Sequence, residues 1–128
     1  MNVYYNVEEI SKDKKTVLTV GTFDGVHLGH RKIINEMIYQ SVENNCRNLL
    51  ITFDPHPQIV LSKDNSIKIL TTLEQKLEYL NNLSVQNVLV INFTKQFSQI
   101  DFKTFVEEYF VNRIGVHTVV VGSDHHFG

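Results

Sequence analysis

The sequence predicts an α/β fold in which a parallel β-sheet carries helices on both faces. Short runs of β-branched and aliphatic residues alternate along the chain with amphipathic segments, and this alternation is typical of strands joined by crossover helices. The strand segments are continuously apolar, as expected when both faces of a sheet are buried. We therefore expect each strand to be followed by a helix that packs on the sheet.

The first half of the chain supplies two strands and one helix. Residues 16–20 form a β-branched run, and residues 28–43 carry apolar side chains at three- and four-residue steps, which indicates a helix. Residues 48–53 form the second strand, and the sequence Asp-Pro-His-Pro at 54–57 ends it. We expect the two prolines to exclude a helix at this point and to limit pairing in the sheet.

The second half continues the alternation. Residues 71–75 (TTLEQ) contain a capping box, in which a threonine begins a short helix and a Glu or Gln lies three residues further on. Residues 87–91 form a third strand. Asp101 is expected to cap a further helix that ends near Gly115, and residues 117–121 form a fourth strand.

Composition limits the class of protein. The chain has 128 residues, which suits one small domain, and a net charge of −2, which argues against a general binder of nucleic acid or of an anionic membrane. A single cysteine, Cys46, allows no internal disulfide and fits a reducing cytoplasm. No apolar run approaches the roughly 20 residues of a transmembrane helix, and the first residues are too polar for a secretory signal.

Three loops of unusual composition follow predicted strand ends. They comprise residues 21–30, rich in glycine and histidine, residues 54–57, with two prolines, and residues 122–128, with Asp-His-His. Ligands of parallel α/β sheets bind at the carboxyl ends of the strands. We therefore expect one site built from the three loops, at one edge of the sheet.

The first of these loops (GTFDGVHLGH) has the properties of a phosphate site. Gly21 and Gly25 permit a positive φ or the close approach of a ligand, and Gly29 leaves room beside the first helical turn. The free N–H groups of a helix N-terminus attract phosphate. His27 and His30 are three residues apart, so both rings would lie on one face of that turn and donate to the same polyphosphate.

The same residues allow other interpretations. A glycine-rich turn between a strand and a helix is as often structural as phosphate-binding, and a zinc pair would need further ligands from Asp24 or from the distant histidines. A P-loop is excluded because no Lys-Ser or Lys-Thr follows the glycines. The glycine spacing also differs from the dinucleotide-binding fingerprint.

The segment GTFDGVHLGH resembles the signature of the nucleotidylyltransferase superfamily, whose defining element is His-x-Gly-His at the first helix. With TFDPHP and VVVGSDHHFG in the same order, the chain resembles the bacterial bifunctional riboflavin kinase/FMN adenylyltransferase (FAD synthetase) family. The resemblance covers essentially the whole chain and implies a Rossmann-like fold. It also implies transfer of AMP from ATP to FMN with Mg²⁺, which gives FAD and pyrophosphate.

The resemblance further implies a site with two sides. His27 and His30 are the catalytic candidates, and no residue is assigned to a metal. The ATP side is expected to comprise Gly21, Thr22, Phe23, Asp24, Gly25, His27, Gly29, His30 and Asp124. The flavin side is expected to comprise Phe53, Asp54, Pro55, His56, Pro57, His125 and Phe127. Without the resemblance, a plain strand-terminating turn explains Pro55 and Pro57 as well as a binding loop does. Phe127 is then as consistent with a core aromatic as with a flavin-binding ring.

Two further elements of the family are not found among the 128 residues: a Ser-Ser/Thr-x-x-Arg segment that contacts ATP phosphates and the Pro-Thr-Ala-Asn motif of the riboflavin kinase domain. We therefore expect a C-terminally incomplete adenylyltransferase domain, weakly active or inactive alone, with its sheet dependent on a further strand or partner. The parent protein is expected also to phosphorylate riboflavin to FMN.

Three rival functions are weighed against this one. The Asp-His-His phosphoesterases also need an earlier Asp-x-Asp element, which the sequence lacks. Cytidylyltransferases acting on glycerol phosphate often read GTFDLxHxGH, and Gly25-Val26 together with the FDPHP segment argues against them. A binding module for a nucleotide or a flavin, without catalysis, is the alternative from a different class.

Overall fold

The computed structural model describes residues 1–25, 28–61 and 71–122. Within these ranges a five-stranded sheet has the order β1-β4-β3-β2-β5, and all neighbouring strands are parallel. The strands are β1 (Asn2–Tyr4), β2 (Thr16–Val20), β3 (Arg47–Asp54), β4 (Asn87–Asn92) and β5 (Thr118–Val120). The predicted parallel α/β architecture is therefore confirmed.

The helices lie between the strands, as the alternation predicts. They are α1 (Leu28–Glu43), α2 (Pro57–Leu61), α3 (Leu73–Asn82), α4 (Lys95–Ser98) and α5 (Phe102–Phe105), which continues as a π-helical segment (Val106–Ile114). A short 3₁₀ turn (Val7–Glu9) follows β1. None of the helices in the described ranges is long and apolar enough to cross a bilayer.

Two apolar cores cover the two faces of the sheet. On one face, side chains of α1 and α3 pack on the strands: Ile34, Met37 and Leu80 with Val17, Leu50 and Val88. On the other face, α5 and the π-helical segment supply Phe105, Phe110 and Ile114, which pack on Leu18, Leu49 and Leu89. Because successive side chains of a strand point to opposite faces, a continuously apolar strand such as β2 contributes to both cores.

The order of the strands fixes where a ligand can bind. From β2 the chain moves outward to β3 and β4, and then returns to form β5 on the other side of β2. Such a reversal is the switch point at which open α/β sheets bind ligands, beyond the carboxyl ends of the strands. The glycine-rich segment starts from β2 at this point, and α1 begins beyond it.

The start of α3 confirms the capping box and identifies its members. Thr72 is the N-cap: its hydroxyl accepts from the Gln75 N–H (3.1 Å), and the Gln75 amide oxygen accepts from the Thr72 N–H (2.9 Å). Thr71, the alternative cap, bonds instead to the glycine-rich loop. The sequence allowed either threonine because the contact that separates them joins residues far apart in the chain.

One prediction about helices was wrong. Pro57 does not exclude a helix but begins α2, since the first residue of a helix needs no N–H donor. The predicted helix capped by Asp101 is confirmed; it is α-helical to Phe105 and then π-helical, and the Gly115 N–H bonds to the Phe110 carbonyl five residues earlier. Its predicted end is confirmed, since Gly115 adopts a left-handed conformation (φ 82°).

Candidate functional site

A cavity of about 460 Å³ lies at the carboxyl ends of β2 and β3, between the start of α1 and the α4–α5 region. It is lined mainly by apolar and aromatic side chains. Six residues predicted for the site line it: Gly21, Thr22, Phe23, His30, Phe53 and Pro57. The structure therefore brings residues of the first two predicted loops to one cavity.

Within the first loop, residues 21–25 have an unusual backbone. Phe23 adopts a left-handed conformation (φ 50°), and so does Gly25 (φ 76°). The ring of Phe23 is buried and meets the ring of His30 edge-to-face, with 5.4 Å between centroids. The Gly25 carbonyl lies 3.3 Å from Nδ1 of His30. His30 is thus held from two sides by the loop that precedes it.

The contact with Gly25 has a consequence for the protons of His30. A carbonyl oxygen can only accept a hydrogen bond, so Nδ1 is the atom that carries the proton in this arrangement. In a neutral ring Nε2 is then an acceptor, and it becomes a donor only in the imidazolium. His30 can therefore donate to a phosphate through Nε2 while keeping its bond to Gly25 only as a cation.

Gly21 lies directly against the Phe23 ring. A Cβ at position 21 would lie 3.2 Å from Cε2 and 3.3 Å from Cζ of that ring. We expect Gly21→Ala to lower the free energy of unfolding by about 1–3 kcal/mol, the usual cost of overpacking. Urea denaturation measures this loss. Phe23→Leu should relieve the clash, so the double variant should lose less than the sum of the two single variants; strict additivity would contradict the contact.

Asp24 ties the first loop to Thr71, which directly precedes the N-cap of α3. One of its carboxylate oxygens, Oδ1, accepts from the Thr71 N–H (2.9 Å) and from the Thr71 hydroxyl (3.0 Å). The Gly25 N–H in turn lies 3.2 Å from the Thr71 hydroxyl oxygen, which accepts from it. The structure therefore gives Asp24 and Gly25, both predicted for the ATP side, a part in holding the shape of the loop.

A second connection runs beneath the loop through a buried threonine. The Thr52 hydroxyl donates to the Thr22 carbonyl (3.0 Å) and accepts from Nζ of Lys76 (3.1 Å). Thr52 is fully buried and Lys76 almost so. Burial lowers the pKa of Lys76, and the nearby carboxylates of Asp24 and Asp54 act in the opposite direction. These charged and hydroxyl groups join the ends of β2 and β3.

The second loop, residues 54–57, is more exposed than the first. Asp54 and Pro55 are exposed and joined by a cis peptide bond, whereas His56 is half-buried. Burial lowers the pKa of His56; the carboxylate of Asp24 opposes this effect and the ammonium of Lys76 adds to it. The Asp54 carbonyl accepts from the Phe93 N–H (3.3 Å), which ties this loop to the chain after β4.

The far side of the cavity is formed by five phenylalanines, which we call the aromatic wall: Phe53, Phe93, Phe97, Phe102 and Phe105. The sequence predicted Phe53 for the flavin side, but sequence reasoning missed the other four. Centroid distances of 5.6 Å separate Phe53 from Phe93, Phe93 from Phe97, and Phe97 from Phe105, in edge-on arrangements. A signal existed, because Phe93 and Phe97 follow the end of a strand just as the predicted loops do.

Lys76 was also missed, although its position carried a signal. Leu73, Leu77 and Leu80 define the apolar face of α3, and position 76, three residues after Leu73 and four before Leu80, lies on that face. A lysine there is either snorkelling to solvent or paired inside the protein. The structure shows the second arrangement.

The remaining predicted residues lie wholly or partly outside the described residues. His27, Asp124, His125 and Phe127 fall outside them. Gly29 belongs to the first turn of α1, and Gly122, at the start of the third loop, lines the cavity. Among the residues that the structure describes, no group of three or more His, Cys, Asp or Glu side chains is placed to hold a metal ion.

An open parallel sheet with a glycine-rich loop and a helix N-terminus at its switch point defines an α/β protein of the Rossmann-like class. Comparison with family models makes this assignment specific, because the model described as FAD synthetase matches residues 9–128. The chain belongs to the FAD synthetase family.

Curated relatives carry the name bifunctional riboflavin kinase/FMN adenylyltransferase. The protein from Listeria monocytogenes is 38% identical over 133 residues, which cover 100% of this chain and 42% of the relative. The protein from Buchnera aphidicola of Schizaphis graminum is 31% identical over 97% of this chain and 39% of its own length. The Escherichia coli K12 protein is 33% identical over 88% of this chain and 36% of its own length. The chain thus spans about two fifths of these relatives.

Solved structures agree on the fold. The crystal structure of a macrolide-efflux protein from Streptococcus pneumoniae matches with a TM-score of 0.83, covering 98% of this chain and 42% of that one. Its sequence is 20% identical. At that identity the match shows a common fold alone.

Proposed function

We propose that this chain provides the adenylyltransferase site of an FAD synthetase, which transfers AMP from ATP to FMN. The observation that carries the proposal is one cavity that joins the glycine-rich phosphate loop to the aromatic wall. A dinucleotide-forming enzyme of this kind needs a phosphate-binding end and an apolar end for a planar ring. The names of the curated relatives support the same reaction.

The proposed step is a substitution at phosphorus. An oxygen of the FMN phosphate attacks the α-phosphorus of ATP, and the bond from that phosphorus to the bridging oxygen of the β-phosphate breaks. FAD and pyrophosphate are the products. The attacking phosphate is already anionic, so no general base is needed. Catalysis then consists of positioning the two substrates and neutralising the negative charge that develops on the leaving group.

On the ATP side, the proposal assigns the first loop and the start of α1. His30 would donate to the triphosphate as a cation, because its Nδ1 is directed to the Gly25 carbonyl. His27 is proposed as the second donor from the sequence motif. The free N–H groups of the first turn of α1 would add to the positive potential there. Asp24 would act by shaping this loop through Thr71.

On the flavin side, the proposal assigns the aromatic wall and Pro57. Planar ring systems bind well against aromatic rings in stacked or edge-on contacts, and such contacts add to the free energy of burial. Phe53 and Pro57 would take the part that the sequence predicted, and the phenylalanines after β4 would complete the pocket. His56 belongs to the second loop but does not line the cavity.

Magnesium enters this proposal as part of the ATP substrate. The described residues offer no cluster of ligands that would hold an ion alone. Mg²⁺ in nucleotide sites is bound largely by phosphate oxygens and water, with one or two carboxylates. The ion would reduce the charge of the triphosphate when bound.

The proposed activity is tested with the full-length gene product. Incubation with FMN, ATP and MgCl₂ should give FAD and pyrophosphate, which chromatography resolves. Incubation with CTP and glycerol phosphate tests the cytidylyltransferase alternative, and consumption of CTP without formation of FAD would overturn the proposal. Binding of ATP or FMN without any turnover would favour the binding module. Phosphorylation of riboflavin by the same protein is a separate assay for the proposed kinase activity.

The aromatic wall can be tested at a residue that contributes little to the core. Phe102 lines the cavity but is 49% exposed, so Phe102→Ala should change the free energy of unfolding by less than about 0.5 kcal/mol. We expect it to weaken FMN binding roughly tenfold, as the loss of one aromatic contact implies. Fluorescence titration with FMN measures the affinity.

The matched control for this variant is Val111→Ala. Val111 is 51% exposed and lies on the π-helical segment that continues α5. Both variants should unfold at the denaturant concentration of the parent, and only Phe102→Ala should bind FMN more weakly. Equal affinities for FMN in the two variants would remove Phe102 from the proposed flavin site.

A further inference from the structure

Lys76 lies in a position that lysine seldom occupies. Its side chain is 7% exposed and faces the sheet from the second turn of α3. Buried lysines are rare because removing an ammonium from water is costly unless hydrogen bonds and opposite charges compensate. The surroundings of Lys76 must therefore supply that compensation. They are Thr52, whose hydroxyl bonds to the first loop, and the carboxylates of Asp24 and Asp54, which belong to the first and second loops.

The hydrogen bonds of Lys76 lead to the first loop. Its Nζ donates to the Thr52 hydroxyl (3.1 Å), which donates to the Thr22 carbonyl (3.0 Å). Five residues earlier, Thr71 holds Asp24 and Gly25. The loop is therefore attached to α3 at two points, one through Thr71 and one through Lys76 and Thr52.

The charges around Lys76 belong to both loops. The carboxylates of Asp24, in the first loop, and Asp54, at the end of β3, favour its charged form. Its ammonium in turn disfavours the charged form of His56, in the second loop. The ammonium of Lys76 therefore offsets part of the negative charge of Asp24 and Asp54 beside a site proposed for anionic substrates.

We propose that Lys76 is a positioning residue of the nucleotide site, which fixes the first loop through Thr52 and balances the carboxylates of Asp24 and Asp54. The assignment rests on the proposed function for the identity of the nucleotide, ATP. Its role is not catalytic, since it acts on the substrates through the loop and through the local charge. The proposal makes α3 the element that orders the phosphate side of the cavity.

The first test needs no turnover. In the full-length gene product with ¹³C-labelled histidine, NMR titration gives the pKa of His56. Lys76→Met removes the charge that disfavours the imidazolium, while Asp24 continues to favour it, so the pKa of His56 should rise. Lys76→Arg keeps the charge and should leave that pKa near its parent value. Thr52→Val also keeps the charge, so it should leave the titration of His56 unchanged.

The second test measures nucleotide binding. Calorimetry with MgATP should show about tenfold weaker binding for Lys76→Met, because a charge and a tether are both lost. Thr52→Val should weaken binding by a smaller factor, since only the tether is lost. Lys76→Arg should recover most of the affinity. In steady-state kinetics the change should fall on the KM for ATP, with kcat within about threefold of the parent, as a loss of uniform binding predicts.

Lys103→Met is the control, since Lys103 is exposed on α5. It should change neither the His56 titration nor the binding of MgATP. For a folded Lys76→Met variant, an unchanged pKa of His56 or an unchanged affinity for MgATP overturns the proposal. If methionine prevents folding, Lys76→Gln carries both measurements, and Thr52→Val carries the MgATP measurement. Failure of the full-length protein to make FAD would overturn the proposed function, while the titration and the calorimetry would still test Lys76.

Discussion

His30→Ala is expected to lower the kcat of FAD formation by about 100-fold or more, as the loss of one donor to a developing negative charge does in other enzymes. His30 lines the cavity at the N-terminus of α1 and is oriented by the Gly25 carbonyl and the Phe23 ring. The affinity for FMN should stay within about twofold of the parent, since the aromatic wall is intact. Steady-state kinetics of the full-length gene product and an FMN titration measure the two quantities.

Two further variants sharpen this result. His30→Gln retains an amide donor without a charge and should fall between the parent and His30→Ala. His117→Ala is the matched control, because His117 is exposed and precedes β5 at the opposite end of the strand, where its ring contacts Thr118. It should keep the kcat of the parent. A normal kcat in His30→Ala would remove this residue from the proposed mechanism.

Phe53→Ala is expected to cost about 3–5 kcal/mol in the free energy of unfolding, the usual loss when a buried phenylalanine is truncated. Phe53 is 7% exposed and contacts Phe93 edge-on and Phe97 in a tilted arrangement, in the core under α5. Small domains are stabilised by only about 5–15 kcal/mol, so the loss would be a large part of the total. Urea unfolding followed by circular dichroism measures it.

The part that Phe53 plays in binding is separated from its part in folding by Phe53→Leu. This variant keeps most of the volume and should lose only about 1–2 kcal/mol of stability, while FMN affinity falls about tenfold for want of the ring. Phe110 belongs to the same core but does not line the cavity. Phe110→Leu should therefore lose similar stability and bind FMN normally. Equal FMN affinities in the two leucine variants would contradict a flavin site at the aromatic wall.

The sequence predicts the main frame of this fold closely because long, strongly periodic segments form it. The bounds of β2 and α1 are predicted to the residue, and the end of the last helix at Gly115 follows from the need for a left-handed residue. The short elements β1, α2 and α4 have no such signal. Segments of three to five residues are stabilised by what they pair with in the folded chain, which local pattern does not contain.

The candidate site divides in the same way. Gly21, Phe23 and His30 belong to one short motif, and the parallel topology predicts that Phe53 lies beside them. The aromatic wall depends on where the chain returns after β4, and Thr52 and Lys76 depend on which face of α3 meets the sheet. The bond between Lys76 and Thr52 joins residues 24 positions apart, and Phe53 meets Phe93 across two strand ends, so both contacts follow from the tertiary fold and not from a motif.

Phe23 combines a strained backbone with a buried ring that also contacts His30. A non-glycine residue in a left-handed conformation costs on the order of 1–3 kcal/mol, and the rest of the domain must bear that cost. Glycine at position 23 would remove the strain but also the ring that meets His30. That ring is itself buried in the core, and its loss would cost about 3–5 kcal/mol, more than the strain it relieves. Stability and the orientation of His30 therefore both favour phenylalanine at this position, and a stabilised form of this domain is better sought on the outer faces of its helices.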